Sequence, residues 1–286
     1  MEHLYDLLSC IFFASAMLSI GITVTGGQII ASLKDYRLGA RVLLANLVLV
    51  PGLGLLLVRL FQLSVDNTLG ILFMACAPGG LNAIEFTGRI RSHLASAAGI
   101  LFLLNVAALA FTPLLIHVLI SCPMLVTLPY LQIVLFLVLG LLVPLLCGCV
   151  IYRRWPSFSD RIRRPLVLTA DVSFLAIMLI TLVIKKKATH LVGDATLLVI
   201  VLLTLGSLAI GWILGGRDGE MKKILAATTS MRNAALSLLI AVAGFSMRDM
   251  DVAIVASAAV MFTLNKLFFL ALRLKDRKKG KNSEPS

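Results

Sequence analysis

The chain has 286 residues, 59% hydrophobic and 14% charged, with a mean hydropathy of +1.01. A soluble domain carries about 25% charged residues, so the composition excludes one and points to a polytopic membrane protein in a lipid bilayer. The net charge of +12 sits in short interhelical loops and a tail, which argues for membrane orientation rather than a nucleic-acid partner.

Apolar runs of roughly 20 residues predict about nine crossings, near 5–25, 41–63, 68–89, 93–120, 127–151, 166–185, 192–214, 221–245 and 251–272. The first run has no basic leader and no small-residue cleavage site after it, so it reads as a retained helix. The second carries Asn46, either a cavity ligand or an interhelical hydrogen-bonding residue. The third contains Cys76-Ala-Pro-Gly-Gly80. Pro78 removes a backbone donor, and Gly79 and Gly80 release the restriction on φ and ψ, so a continuous helix is not expected there. Unpaired backbone at membrane depth is tolerated only inside protein or beside a polar cavity. Asn82 and Glu85 follow the break.

The fourth run carries Asn105 and Thr112, which either line the same cavity or act as packing glue, the second being favoured. Trp155-Pro-Ser-Phe-Ser-Asp160 is the most loop-like connection. Asp171, in the sixth run, is either a proton carrier or a residue at a helix end near the cytoplasm; the helix end is favoured. The eighth run is interrupted at Thr228-Thr-Ser-Met-Arg-Asn233, with Thr229, Ser230, Met231, Arg232 and Asn233 together at depth. Pro78 and Arg232 each lie about ten residues inside their spans, roughly 15 Å at 1.5 Å per residue, hence near the midplane of a core about 30 Å thick. The two runs cross in opposite directions. Two interrupted spans in corresponding places are the strongest sequence pointer to a transporter's binding site. Asn265 and Lys266 in the last run read as a structural or snorkelling pair. From Lys275 the tail is polar and expected to be disordered.

Most basic residues fall on one side of this arrangement, among them Arg37, Arg41, Arg153, Arg163, Lys222 and the cluster from Arg273 to Lys281. That side is the cytoplasm, giving an outside N-terminus and a cytoplasmic C-terminus; Lys185, Lys186 and Lys187 run against the rule. The compact chain and its basic tail suggest a bacterial inner membrane. Cys10, Cys76, Cys122, Cys147 and Cys149 lie in or beside apolar runs and read as buried small hydrophobes. His93 and His117 have no metal-like partners, no metal site or cofactor is expected, and no catalytic constellation shares a face, which argues against an enzyme.

Four pieces, taken in order, resemble the bile acid:sodium symporter family. They are Ser19-Ile-Gly-Ile-Thr-Val-Thr25 before a basic loop, Asn46-Leu-Val-Leu-Val-Pro51, Cys76-Ala-Pro-Gly-Gly80 and Met231-Arg-Asn-Ala-Ala-Leu236. The resemblance covers most of the chain and implies an all-α inverted-repeat transporter of two five-helix repeats, here without the first helix. It further implies one transmembrane unit over 1–274, with panel helices near 5–25, 127–151 and 166–185. Core helices would span 41–120 and 192–272, and 275–286 would form a basic cytoplasmic tail. The two broken helices would cross in the core, and rocking between panel and core would give alternating access.

The sequence departs from the family at its second break, where the motif reads approximately Glu-x-Gly-Met-Gln-Asn. Thr228 stands at the glutamate that the resemblance makes the acidic sodium ligand, Ser230 at the glycine and Arg232 at the glutamine. A guanidinium in place of a ligand repels Na⁺ by about 4 kcal/mol at 4 Å and an effective dielectric of 20, which argues against sodium coupling. Arg232 is then expected to replace the bound cation, held by Glu85 or by carbonyls at the helix break, or to bind the substrate's carboxylate. Glu85 reads more simply as an i,i+4 partner of Arg89.

The expected substrate-binding set is Pro78, Gly79, Gly80, Asn82, Arg232 and Asn233. The expected ion-coupling set is Asn46, Glu85, Asn105, Thr228, Thr229, Ser230 and Met231, with Na⁺ or H⁺ as the coupling ion. The function expected is secondary transport of small organic anions, in an oligomeric state the sequence does not give. The alternatives are an arsenite or oxyanion exporter using Cys76, and a non-transporting receptor on the same fold.

Overall fold

The structure, a computed structural model, describes residues 2–23, 27, 35–80, 83, 94–121, 130–184, 192–244 and 250–281. All regular elements among them are helical, as the composition leads one to expect. In chain order they are α1 (Glu2–Gly21), α2 (Tyr36–Leu44, a π-helical turn Ala45–Leu49, then Val50–Leu60), α3 (Val65–Cys76) and α4 (Leu94–Ile116, continued by a π-helical turn His117–Ser121). Then follow α5 (Tyr130–Leu137, a π-helical turn Val138–Leu142, then Val143–Arg154), α6 (Pro156–Ile184), α7 (Asp194–Leu214), α8 (Gly219–Ser230), α9 (Ala234–Gly244) and α10 (Met250–Lys281). Six helical runs among the described residues are long and apolar enough to cross a bilayer, with shorter apolar helices at Leu7–Gly21 and Val65–Cys76.

Side-chain caps start several of these helices. The Asp35 carboxylate accepts from Leu38 N at 3.0 Å to open α2, and Asp218 accepts from Glu220 N at 3.0 Å to open α8. Inside, α1 packs on α5 and α6, while α7 packs on α8, α10 and α2, and α3 packs on α10 and α2. At the α1–α5 crossing two glycines touch: a Cβ on Gly148 would stand 2.6 Å from the Leu18 carbonyl and 2.8 Å from Gly21 Cα. Without a hydrophobic drive between helices in lipid, such small-residue contacts are what hold helices together. The outer face of α6 exposes Leu168, Val172 and Leu179, apolar groups suited to lipid.

Three sequence expectations change. Trp155 is a one-residue break, and Pro156 opens a continuous helix to Ile184. Proline at a first helical position loses no intrahelical bond, so the apparent loop is a helix start. Likewise α10 runs through the basic stretch to Lys281 rather than dissolving at Lys275; Lys and Arg are good helix formers, and Lys223 Nζ pairs with Asp276 at 2.7 Å. Of the cysteines, Cys76 is buried in protein, Cys149 is half-buried, and Cys10 and Cys147 are exposed on the helix surface. An apolar thiol can face lipid as readily as a core. Cys122, Arg89, His93 and Lys185–Lys187 lie outside the described residues.

Candidate functional site: two helix breaks holding a guanidinium

The site begins with proline. In the π-helical turn of α2, Val50 N bonds to the Ala45 carbonyl, so the Asn46 carbonyl falls to residue 51. Pro51 has no N–H to give it, and the Asn46 carbonyl is left free. Pro78 ends α3 at Cys76: it has no N–H to give the Met74 carbonyl, which accepts instead from Ala77 N at 3.3 Å in a tightened last turn. The chain then passes through Gly79 at φ +82°, a backbone conformation that suits glycine.

The two breaks are stitched to each other through their main chains. Gly80 N donates to the Met231 carbonyl at 3.0 Å, and Asn233 N donates to the Ala77 carbonyl at 2.9 Å. Backbones this close admit no side chain: a Cβ on Gly80 would meet the Arg232 carbonyl at 2.5 Å and the Met231 carbonyl at 2.7 Å. From α4, Asn105 Nδ2 donates to the Gly79 carbonyl at 3.1 Å, and Thr112 Oγ1 donates to the Cys76 carbonyl at 2.8 Å. Asn233 Nδ2 donates to Asn105 Oδ1 at 3.2 Å, while its own Oδ1 accepts from Leu236 N at 3.0 Å and caps α9.

Arg232, 4% exposed, sends its side chain into the space between α2, α3 and α8. Its Nε donates to the Met74 carbonyl at 3.2 Å. One terminal nitrogen donates to Asn46 Oδ1 at 2.6 Å and to the Thr229 carbonyl at 3.5 Å. The other donates to the Asn46 carbonyl at 3.2 Å and to the Ala75 carbonyl. A guanidinium has five N–H donors, and all five meet acceptors here. Those acceptors are neutral oxygens, and among the described residues no carboxylate pairs with Arg232. The C-terminal ends of α3 and α8, the negative ends of their dipoles, both face the charge.

The rest of the expected set divides. Asn46, Asn105, Thr229, Met231 and Asn233 share this crossing with Pro78, Gly79 and Gly80. Thr228 Oγ1 turns back to the Ile224 carbonyl at 2.9 Å, and Ser230 Oγ lies 2.7 Å from Asn265 Oδ1, so neither side chain reaches the guanidinium. Asn265 is thus a partner of Ser230, and Lys266 is exposed on α10. Asn82 and Glu85 lie outside the described residues.

Beside the crossing lies a cavity of about 380 Å³, within the size range of small-ligand sites. Phe12 and Ala16 of α1 and Asp171, Phe174 and Met178 of α6 form one wall. Gly80, Asn233, Ala234 and Ala235 at the breaks and Met261 and Thr263 of α10 form the other. Cys76 is fully buried and does not line it. Sequence reasoning favoured a cytoplasmic helix end for Asp171, and it offered the helix-break carbonyls, here Met74 and Ala75, as one of two partners for Arg232. The proline four residues after Met74 was the available signal for the acceptors.

Residues 10–194 match the model of the Sodium Bile acid symporter family. The chain belongs to this family. The match ends before α8, so the second break and Arg232 lie beyond it. A human protein described as a sodium-dependent organic anion transporter is 27% identical over 203 residues, 70% of this chain and 53% of that protein. The chain thus spans about half the length of this curated relative. Members of the family are transporters rather than enzymes.

Proposed function

We propose that this bile acid symporter family member is a sodium-independent secondary transporter of small amphipathic organic anions. The observation that carries this reading is the saturated guanidinium: Arg232 occupies the space between the two breaks with every N–H spent on protein oxygens. A tethered cation does there what a bound sodium ion would do, which is to tie the broken helices together through their free carbonyls. It cannot leave, so it cannot drive transport. Because no donor of the guanidinium is free, it also offers the substrate's carboxylate nothing, and the tethered-cation form of the Arg232 expectation is favoured over direct binding.

The anion has another seat. The first turn of α9 opens on the cavity at Ala234 and Ala235, and unpaired N–H groups at a helix N-terminus favour negative charge. Phe12, Phe174 and Met178 supply an apolar bed for the rest of the molecule. Alternating access would follow from movement of α1, α5 and α6 against the remaining helices, because the cavity lies between these groups. The anion specificity is consistent with the description of the human relative. The orientation expected from the basic loops, N-terminus outside and C-terminus cytoplasmic in a bacterial inner membrane, completes the reading. The buried thiol of Cys76 supports no oxyanion ligand role.

The test is binding of taurocholate and of a carboxylate series to the purified protein by thermal shift, in NaCl, KCl and choline chloride. Ligand at a hundredfold excess over Kd stabilises the folded state by about 2.7 kcal/mol. Equal stabilisation in the three salts is expected. A response confined to NaCl would overturn sodium independence.

A further inference from the structure

Asp171 faces the crossing from the opposite wall of the cavity. It lies 15 residues into α6, about 22 Å along the helix, with its side chain exposed beside the apolar lining groups of α1 and α6. Its carboxyl has no hydrogen bond or ion pair with any described residue. The charged groups around it are few. On α6 itself the nearest in sequence are Arg161, Arg163 and Arg164, about 10 Å or more back along the helix. On α5, Arg153 and Arg154 end the helix before α6 begins. On α10, Lys266 is exposed, with Nζ 5.9 Å from the centre of the ring of Phe262, a lining residue; Lys266 does not itself line the cavity and makes no ion pair with Asp171. From α1 the lining residues are Phe12 and Ala16, and from the crossing the one charged residue is Arg232.

Resting on the anion-transport reading above, we infer that Asp171 is the coupling group and carries one proton across with each anion. The lining contains one fixed positive charge, Arg232, which cannot deprotonate at accessible pH, and one group that can change charge, Asp171. When the cavity is empty, an ionised Asp171 balances Arg232 and the lining is neutral. An anion at the first turn of α9 makes the lining negative, and two negative charges sharing an apolar cavity raise each other's affinity for a proton. Asp171 takes one from water, and the lining is neutral again. Arg232 with ionised Asp171, and Arg232 with protonated Asp171 and the anion, are therefore the two states without net charge. The other two combinations each carry an uncompensated charge in a low-dielectric space, which is costly to move through a bilayer. Coupling follows, because the wall bearing Asp171 returns empty only after its proton has gone back to water on the far side. One proton and one monovalent anion cross together, with no net charge moved.

The decisive measurement uses taurocholate, whose sulfonate stays ionised and so cannot itself carry the proton. Calorimetry of taurocholate binding to the full chain, in two buffers of different ionisation enthalpy, counts protons taken up per anion. The expected result above the Asp171 pKa is one proton per anion, and an affinity that falls tenfold per pH unit. In Asp171→Asn, which keeps the shape of the protonated acid, uptake falls to zero and the pH dependence disappears while binding persists. In proteoliposomes the same variant loses its response to an inward proton gradient and retains taurocholate exchange. Binding by the wild type without proton uptake, or a gradient response that survives in the variant, overturns the assignment. Absence of taurocholate binding in both proteins would instead overturn the amphipathic-anion reading beneath it. An infrared arm without ligand then decides on Asp171: the wild-type-minus-Asp171→Asn difference on acidification must contain a protonated-carboxyl component, and its absence overturns the proposal.

Discussion

Arg232 donates to both oxygens of Asn46, to the side-chain Oδ1 at 2.6 Å and to the main-chain carbonyl at 3.2 Å. One residue of α2 thus supplies two of the five acceptors around a buried charge. Removing the amide with Asn46→Ala should cost about 3 kcal/mol, because a buried charge loses a partner it cannot replace with water. Asn46→Asp should keep or raise the thermal unfolding temperature in detergent, since it adds a charge-assisted bond at the same place. Equal destabilisation by the two variants would mean the guanidinium is not held as described.

Arg232→Lys follows from donor number. An ammonium has three donors against five acceptors, so at least two carbonyls at the breaks lose their partners, at about 1–3 kcal/mol each. A loss of roughly 2–6 kcal/mol is expected, read from denaturation in a mild detergent. A lysine variant as stable as the wild type would show that charge alone suffices.

Sodium dependence should be recoverable. The double variant Thr228→Glu with Arg232→Gln restores the residues that the family pattern has at the second break and vacates the space the guanidinium fills. Its thermal stability should rise with NaCl and not with choline chloride, whereas the wild type should respond to neither. If the double variant ignores sodium as well, the guanidinium is not a substitute for the ion.

Gly79→Ala carries two separable costs. The positive φ alone costs about 1–2 kcal/mol for an L-residue, and its Cβ would stand 2.7 Å from Asn105 Nδ2. Adding Asn105→Ala to Gly79→Ala should remove the contact and leave the conformational part, so the double variant should be less destabilised than the sum of the two singles. Additivity would place Asn105 out of reach of Gly79.

Cys76 offers a check on the exporter alternative. It is fully buried and absent from the cavity lining, so a membrane-permeant maleimide should spare Cys76 in the folded protein and label it after unfolding. Cys76→Ser should retain anion binding. Loss of binding in that variant would return a thiol to the site.

Much of the fold was legible because bilayer thickness imposes run length. Each of the nine expected crossings falls on a helical stretch among the described residues, and both breaks sit where Pro78 and Thr228–Asn233 put them. Boundaries set by local chemistry were less visible: Pro156 was read as a loop residue although a proline equally opens a helix. At the site, sequence pointed to Arg232, Asn46 and Asn233, because polar groups at depth are rare. It left the acceptor of the guanidinium open between Glu85 and the main chain, since hydropathy says nothing about which carbonyls a broken helix frees. Asp171 was discounted for the same reason. Its distance along α6 is readable from the sequence, but the cavity it faces is made by residues from α9 and α10.

Four of the five oxygens around Arg232 belong to the main chain, and the Asn46 carbonyl among them is free because of where Pro51 falls. A ligand shell of this kind is written in the positions of imino acids and helix ends, and side-chain replacement scanning passes over it. Such a shell can persist while the side chains around it drift. Replacing Pro51 by any residue with an N–H would let α2 reclaim the Asn46 carbonyl and open the shell without touching one coordinating group. Selection on this centre therefore acts on backbone continuity, which residue-by-residue comparison of side chains is least able to register.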